Sequence, residues 1–215
     1  MKSNAQLTAC VLLIGLLGLV GAACGDSGSA AGPRACAGKK TPPDSGPRAP
    51  APTGRYFDPG SPERQNVRGP RTAGIPLTLS GHVSDESCKP VARALLDFFQ
   101  ADSHGRYDRK EIRLHGHQFT DERGRYLLRT IVPNHYLRRP PHIHVKVQAP
   151  YGPLLETQLF FPASLRAYGM DVGSLNARDR TIKCTKAALI VHLGRRTQSG
   201  YEARFDFVIA VARLS

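Results

Sequence analysis

The sequence has no CxxC pair, no dense basic tract, no internal repeat and no apolar run long enough to cross a bilayer. Each absence removes a class of protein. Without CxxC, nothing in the cysteine spacing points to a thiol-ligated metal. Lys and Arg outnumber Asp and Glu 30 to 17, for a net charge of +13. The arginines are nevertheless scattered from Arg34 to Arg213, without the clustered basic and aromatic stripe of a nucleic-acid binder. Such a surface suits the neighbourhood of anionic lipid, or the attraction of small anions, at least as well. Convincing helical periodicity is also nearly absent, which argues against a helical bundle.

What is present begins with "MKSNAQLTACVLLIGLLGLVGAAC": a Lys, an apolar run from Val11 to Val20, then small residues. This is the three-part pattern of a secretory signal, and it is too short for a membrane span. Gly21-Ala22-Ala23-Cys24 resembles a bacterial lipobox, with Gly21 where such boxes usually carry Leu. Residues 1–24 are therefore expected to be a signal whose Cys24 becomes lipidated, giving a membrane-anchored lipoprotein, periplasmic or at the cell surface. Cleavage after the alanines, giving a secreted protein, is the alternative; an uncleaved anchor helix fits the short run less well. Residues 25–55, rich in Gly, Ala, Pro and Ser, cannot bury enough apolar surface to fold and read as a disordered linker. Export implies an oxidising compartment. With Cys10 and Cys24 set aside, Cys36, Cys88 and Cys184 remain, and Cys88–Cys184 is the pair to test first because Cys36 falls in the linker.

From about residue 56 to 215 the chain reads as one mainly β domain. "PLTLSGHVSD" alternates Leu77, Leu79 and Val83 with Thr78, Ser80 and His82. "ARALLDFFQA" suits a buried strand or a short helix. "DERGRYLLRTIV" reads as a turn and then a strand, and "PHIHVKVQA", "LETQLFF", "AALIVHL" and "EARFDFVIAVA" as further strands. "PASLRAYGM" and "VGSLNARDR" have room for one helical turn each. Short strands separated by Gly- and Pro-bearing loops predict a single antiparallel β-sandwich or barrel with long loops and little helix.

The chemistry gathers in "YLRRPPHIHVKV", residues 136–147. In a strand, residues i and i+2 share a face, so His142 and His144 point one way and Ile143 and Val145 the other. Two imidazoles on one face can hold one metal ion. The spacing alone is weak, since the chain has 8 histidines and a second HxH at His115 and His117. Pro140 and Pro141 remove two backbone donors just before the pair, as suits the rim of a site. No carboxylate lies close in sequence, which gives a two-His, one-carboxylate ferrous site no local support. Tyrosines do: Tyr136 lies just upstream and Tyr107 on an earlier loop. Two phenolates with two imidazoles favour ferric iron over zinc or copper.

The ordered motifs "GRY", "TDERGRY", "YLRRPPHIH" and "TQLFF" resemble the catalytic domain of intradiol ring-cleavage dioxygenases, the protocatechuate 3,4-dioxygenases and catechol 1,2-dioxygenases. The likeness runs from about "YFDPGSPERQNV" to "FDFVIA". It implies that Tyr107, Tyr136, His142 and His144 are the four protein ligands of a non-haem Fe(III). It implies too that Arg139 stands beside the substrate ring, that Gln158 lines the same pocket, and that Tyr136 exchanges protons with a catechol-type substrate cleaved by O2 to a muconate-type diacid. Arg138 is expected at the surface, and His115 and His117 beside the ligands or in solvent. The sequence departs from the family in lacking Trp, in having Phe99-Gln100-Ala101 for a frequent W-Q-A, and in Asn134-His135 for Pro-Gly. It also has no counterpart to the helical dimerisation region of the catechol enzymes. The alternative is a non-catalytic metal- or ligand-binding β-sandwich of the cell envelope. No nucleic-acid partner is expected.

Overall fold

The computed structural model describes residues 40–44, 60–108 and 112–212. The signal and lipobox expected at 1–24, and most of the linker, lie outside these residues. The elements are β1 (Pro76–Asp85), β2 (Leu95–Gln100), β3 (His115–Phe119), β4 (Arg125–Ile131), β5 (His142–Gln148), β6 (Leu154–Phe160), α1 (Val172–Arg178), α2 (Arg180–Cys184), β7 (His192–Leu193), β8 (Tyr201–Arg204) and β9 (Phe207–Ile209). One sheet runs β4-β1-β8-β7, with β9 also on β1, and the other runs β3-β2-β5-β6.

Alternation explains why these two sheets form a sandwich. In β1, Leu77, Leu79 and Val83 are buried while Thr78, Ser80 and His82 are not. In β5 the buried set is Ile143, Val145 and Val147, each 0% exposed. These residues share one core with Leu128 of β4, Leu96 and Phe98 of β2 and Leu159 of β6. The rings of Phe98 and Tyr126, one from each sheet, lie 5.8 Å apart. Each fully buried aliphatic or aromatic side chain contributes about 1.5–3 kcal/mol, so the inward faces alone drive closure.

The architecture matches the expected β-sandwich, with local differences. "ARALLDFFQA" yields the strand β2. "EARFDFVIAVA" does not form one strand: it breaks at Phe205-Asp206 into β8 and β9, both parallel to β1. The cause is a close approach at Gly81, where any Cβ would run into the Phe205 carbonyl. Asp206 then fills the gap in the ladder, its Oδ1 accepting the His82 N–H at 2.8 Å. "AALIVHL" gives only β7 and a bridge from Ile190 to Phe160. Lys186 and Ala187 adopt left-handed backbone (φ 50° and 61°), which turns the chain before a strand can begin, although Leu189 and Val191 still reach the core. "VGSLNARDR" supplies α1 and the first residue of α2, capped by the Asp171 and Asp179 side chains, whereas "PASLRAYGM" contains turns and no helix.

Residues 40–44 correct the expected linker. Thr41 exchanges bonds with β9, its N–H donating to the Val208 carbonyl at 3.0 Å and its hydroxyl accepting from the Val208 N–H at 2.9 Å. The Asp44 N–H donates to Glu156 at 2.9 Å, and Thr157 Oγ1 to the Pro42 carbonyl at 2.9 Å. Composition did not prevent order here, because β9 and the open edge of β6 supply backbone partners. Cys88 and Cys184 are both disulfide-bonded.

Candidate metal centre

Strand register assembles the site on the outward face of the second sheet. His115 pairs with Phe99, Phe99 with His144, and His144 with Gln158, so four strands contribute one row. His142 stands opposite Phe160 at the end of β5. Outward positions of a sheet usually meet water, yet His115 is 2%, Phe99 3%, His142 3% and Gln158 3% exposed. Loops cover them.

Two of these loops carry the tyrosines, and their fit depends on one glycine. Gly105 has φ +73°, and a Cβ there would strike the His135 carbonyl. Only glycine therefore lets the loop of Tyr107 lie against the loop of Tyr136. Asp102 organises the turn, its Oδ1 accepting the N–H groups of His104 (2.8 Å) and Arg106 (2.9 Å). Asn134 ties the loops, its N–H donating to the Asp102 carbonyl at 3.1 Å and its Nδ2 to the Ser103 carbonyl at 2.9 Å. Tyr107 consequently stacks on Phe99 (centroids 5.0 Å) and meets Tyr136 edge-on (5.0 Å). A turn closed by the Arg139 N–H and the Tyr136 carbonyl, with Leu137 in left-handed backbone, returns the chain to β5.

Three donor atoms converge. Tyr107 Oη lies 3.0 Å from His142 Nε2 and 3.2 Å from His144 Nε2. Adjacent ligands around a cation with bonds of about 2 Å are separated by about 3 Å. His142 Nδ1 donates to the Pro140 carbonyl at 2.7 Å, which fixes the tautomer and leaves Nε2 with its lone pair. Burial, reinforced by the Arg139 charge, lowers the His142 pKa to about 4. Burial and then the neighbouring His142 and Arg139 hold His144 well below the usual imidazole range. Both rings are thus neutral near pH 7, as ligands must be. Among the described residues no group of three or more His, Cys, Asp or Glu gathers for a metal, so a cation here depends on the phenols. The donor set of two imidazole nitrogens and one phenol oxygen, with the Tyr136 ring 5.0 Å from that of Tyr107, fits a hard, highly charged ion.

The remaining expected residues fall nearby. Arg139 Nε donates to Asp179 Oδ2 at 2.9 Å, and its guanidinium lies 5.7 Å from the Phe160 ring centroid. Arg138 is exposed, as expected. Gln158 donates through Nε2 to the Asp44 carboxylate, while its Oε1 is buried with no partner among the described residues. His115 is fully enclosed: its Nε2–H donates to Asp97 Oδ1 at 3.1 Å, and its ring meets Phe99 edge to face. It therefore buttresses the ring on which Tyr107 stacks. His117 is half-buried against Phe119, away from the donors. Sequence reasoning missed Asp44 and Asp179. The second carried a signal, a helix-capping position; the first carried none.

Residues 56–211 match the sequence profile of the family described as Dioxygenase. The chain is 35% identical over 121 residues to the protocatechuate 3,4-dioxygenase beta chain of Burkholderia cepacia, covering 47% of this chain and 52% of that one. It thus spans about half the length of this curated relative. Among solved structures it resembles the dioxygenase domain of a dioxygenase–carbohydrate-binding fusion from Streptomyces sp. SirexAA-E: 42% identity and TM-score 0.66, over 81% of this chain and 100% of that one. The 3-chlorocatechol 1,2-dioxygenase of Rhodococcus opacus 1CP is 26% identical with TM-score 0.60, over 74% of this chain and 71% of the other.

Proposed function

The chain belongs to the intradiol ring-cleaving dioxygenase family, and on that premise we propose that it cleaves a catechol-type ring with O2. Cleavage falls between the two hydroxyl-bearing carbons and gives a muconate-type diacid. A non-haem Fe(III) would be held by Tyr107, Tyr136, His142 and His144. The observation that carries this reading is the approach of Tyr107 Oη to both imidazole Nε2 atoms, at 3.0 and 3.2 Å.

When bound, ferric iron supplies a Lewis acid for the diol oxygens and an electron acceptor that makes the ring reactive toward O2. The chain's own groups do the rest. Binding a diol as its dianion releases two protons, and Tyr136 Oη accepts one. Neutral His142 and His144 add no positive charge, so the phenolates determine how anionic the site is. The Arg139 cation stabilises negative charge that develops on the ring, and Asp179 fixes its direction. Phe99 and Phe160 wall the site with apolar surface and exclude water. The net charge of +13 favours an anionic, carboxylated catechol among possible substrates. We further propose that the enzyme works outside the cytoplasm, as a lipid-anchored or secreted protein. The disulfide-bonded Cys88 and Cys184 support that placement.

The test is an oxygen electrode with iron-loaded, signal-free protein and a panel of catechols. The expected result is a reddish protein that takes up O2 and places both atoms of labelled O2 in a diacid. A colourless, zinc-retaining protein that consumes no O2 would overturn the reading in favour of a non-catalytic binding sandwich.

A further inference from the structure

The outward face of the second sheet changes character along its strands. At the site it holds His115, Phe99, His144 and Gln158; at the other end the register sets Phe119, Leu95, Gln148 and Leu154 side by side. Gln148 lies six residues along β5 from His142, a distance of about 20 Å. Solvent-facing strand positions usually carry polar side chains, yet Phe119 is 38% and Leu154 47% exposed here. The β5–β6 turn extends the same end with Tyr151, 93% exposed and in left-handed backbone (φ 58°). A Cβ on the neighbouring Gly152 would lie 3.2 Å from the Ala210 carbonyl, so Val211, 38% exposed, joins the patch from the chain after β9. Of the five exposed large hydrophobic side chains among the described residues, only Leu137 lies at the site end.

The chemistry of this end suits a lipid surface. Residues 147–155, VQAPYGPLL, carry no charge, so their insertion into an apolar phase desolvates no ionised side chain. The turns at 85–90 and 121–124 meet at the same end, and their charges nearly balance. Lys40 pairs with Glu86 and Arg125 with Asp121, while Lys89, Arg93 and Arg123 outnumber Asp85 and Glu122 by one. The Arg93 guanidinium lies 5.6 Å from the Phe119 ring centroid, an aromatic body beside a cationic head, as suits a boundary between lipid and water. The chain also enters the fold here, since Thr41 bonds to Val208 and Lys40 reaches Glu86 in the turn after β1. The 15 residues 25–39 join Lys40 to Cys24, a reach of at most about 55 Å. We propose that this end of the sandwich, led by Tyr151 and Leu154, rests on an anionic lipid bilayer and turns the metal centre away from it. The inference rests on the envelope placement proposed above and not on ring cleavage.

The chain has no tryptophan, so Tyr151→Trp supplies a single fluorescent probe. The full chain with this substitution, on mixed phosphatidylglycerol–phosphatidylcholine vesicles, should emit further to the blue than in buffer. Lipids brominated on their acyl chains should quench it, as for a ring about 5–10 Å into the boundary. Leu137→Trp, at the site end, should keep its aqueous emission and resist quenching. Tyr151→Ser combined with Leu154→Ser should lower the partition coefficient at least about tenfold. Pure phosphatidylcholine vesicles should lower it about fivefold, the effect of one surplus cation near an anionic surface. An unquenched Tyr151→Trp, equal quenching at both positions, unchanged partition in the double variant, or equal partition onto the two kinds of vesicle would each overturn the proposal. So would a blue shift that needs no vesicles and grows with protein concentration, which would assign the patch to a second copy of the chain. If the double variant does not fold, quenching in the two Trp variants decides. A chain that stays on vesicles while its Tyr151→Trp probe remains in water overturns this inference and leaves the envelope placement standing. A chain that never associates overturns the anchored form of that placement and this inference together. None of these readouts involves O2 uptake, so ring cleavage stands or falls separately.

Discussion

The two sheets turn the same kind of face outward and treat it in opposite ways. On the first sheet the outward residues are Thr78, Ser80 and His82 of β1, Arg125 and Arg129 of β4, and Glu202 and Arg204 of β8, and all are partly or fully exposed. On the second sheet the corresponding positions hold His115, Phe99, His142 and Gln158, all at 3% exposure or less, and His144, which is half-buried. Within that sheet the cover is local. Farther along β5 and β6, Lys146 and Gln148 are half-buried and Leu154 is exposed. Alternation therefore creates an outward face on both sheets, and loops decide where it becomes a site. Once covered, each polar atom needs a partner. Asp97 takes Ser61 and His115, and Gln158 takes Asp44. The lone pairs of His142 and His144 are left converging on Tyr107.

The strongest way to break this comparison is to delete one hydroxyl from the covered face. Tyr107→Phe removes the oxygen shared by both imidazoles while keeping the ring stacked on Phe99. O2 uptake with catechols should fall at least about a thousandfold, equivalent to about 4 kcal/mol, and the visible colour should weaken or shift. Circular dichroism should show the sandwich intact, because the core lies on the opposite face. Full activity in this variant would mean that the convergence at Tyr107 is not the reaction centre.

The parts of the molecule that were legible in the sequence are those governed by short-range periodicity. The period of two in "PLTLSGHVSD" and "PHIHVKVQA" gave both the strands and the shared face of His142 and His144. The tyrosines were reached as candidates from donor chemistry and then from motif resemblance, not from periodicity, since nothing local to Tyr107 says that its loop docks on residues 134–136. What was not legible depends on distant partners. The break between β8 and β9 answers to Gly81, more than a hundred residues upstream. Order in residues 40–44 answers to β9 and the free edge of β6, and the burial of His115 to Asp97 and Phe99 on the neighbouring strand. A linker-like composition says nothing about an edge elsewhere in the chain that can pair with it.

A second, smaller effect separates the faces by pH. His142 has a folded pKa of about 4, below its ordinary value of 6.5. Between those values the unfolded chain binds the proton and the folded one does not, so stability falls as the pH is lowered from 6.5 toward 4. Metal-free protein should lose about 3 kcal/mol across that window from this residue, with His144 acting in the same direction. Urea titrations at a series of pH values measure it. His142→Ala should flatten the slope; an unchanged slope would show that the covered face is not the origin of the acid sensitivity.

The smallest expected effect comes from deleting a hydroxyl on the open face. Thr78 sits in β1 opposite Arg129 on one side and Glu202 on the other, both exposed. Thr78→Val removes one hydroxyl, as Tyr107→Phe does, and keeps a β-branched side chain suited to a strand. Thr78 is half-buried on the outward face between two exposed neighbours, so its replacement disturbs no core packing. The melting free energy should change by no more than about 0.5 kcal/mol, and O2 uptake and colour should stay as in the unmodified protein. Two hydroxyl deletions at sheet-facing positions would then differ about a thousandfold in activity, and the difference would belong to the loops above one sheet. A marked loss of activity in Thr78→Val would instead mean that the two sheets are coupled through the core, and that cover by loops alone does not define the site.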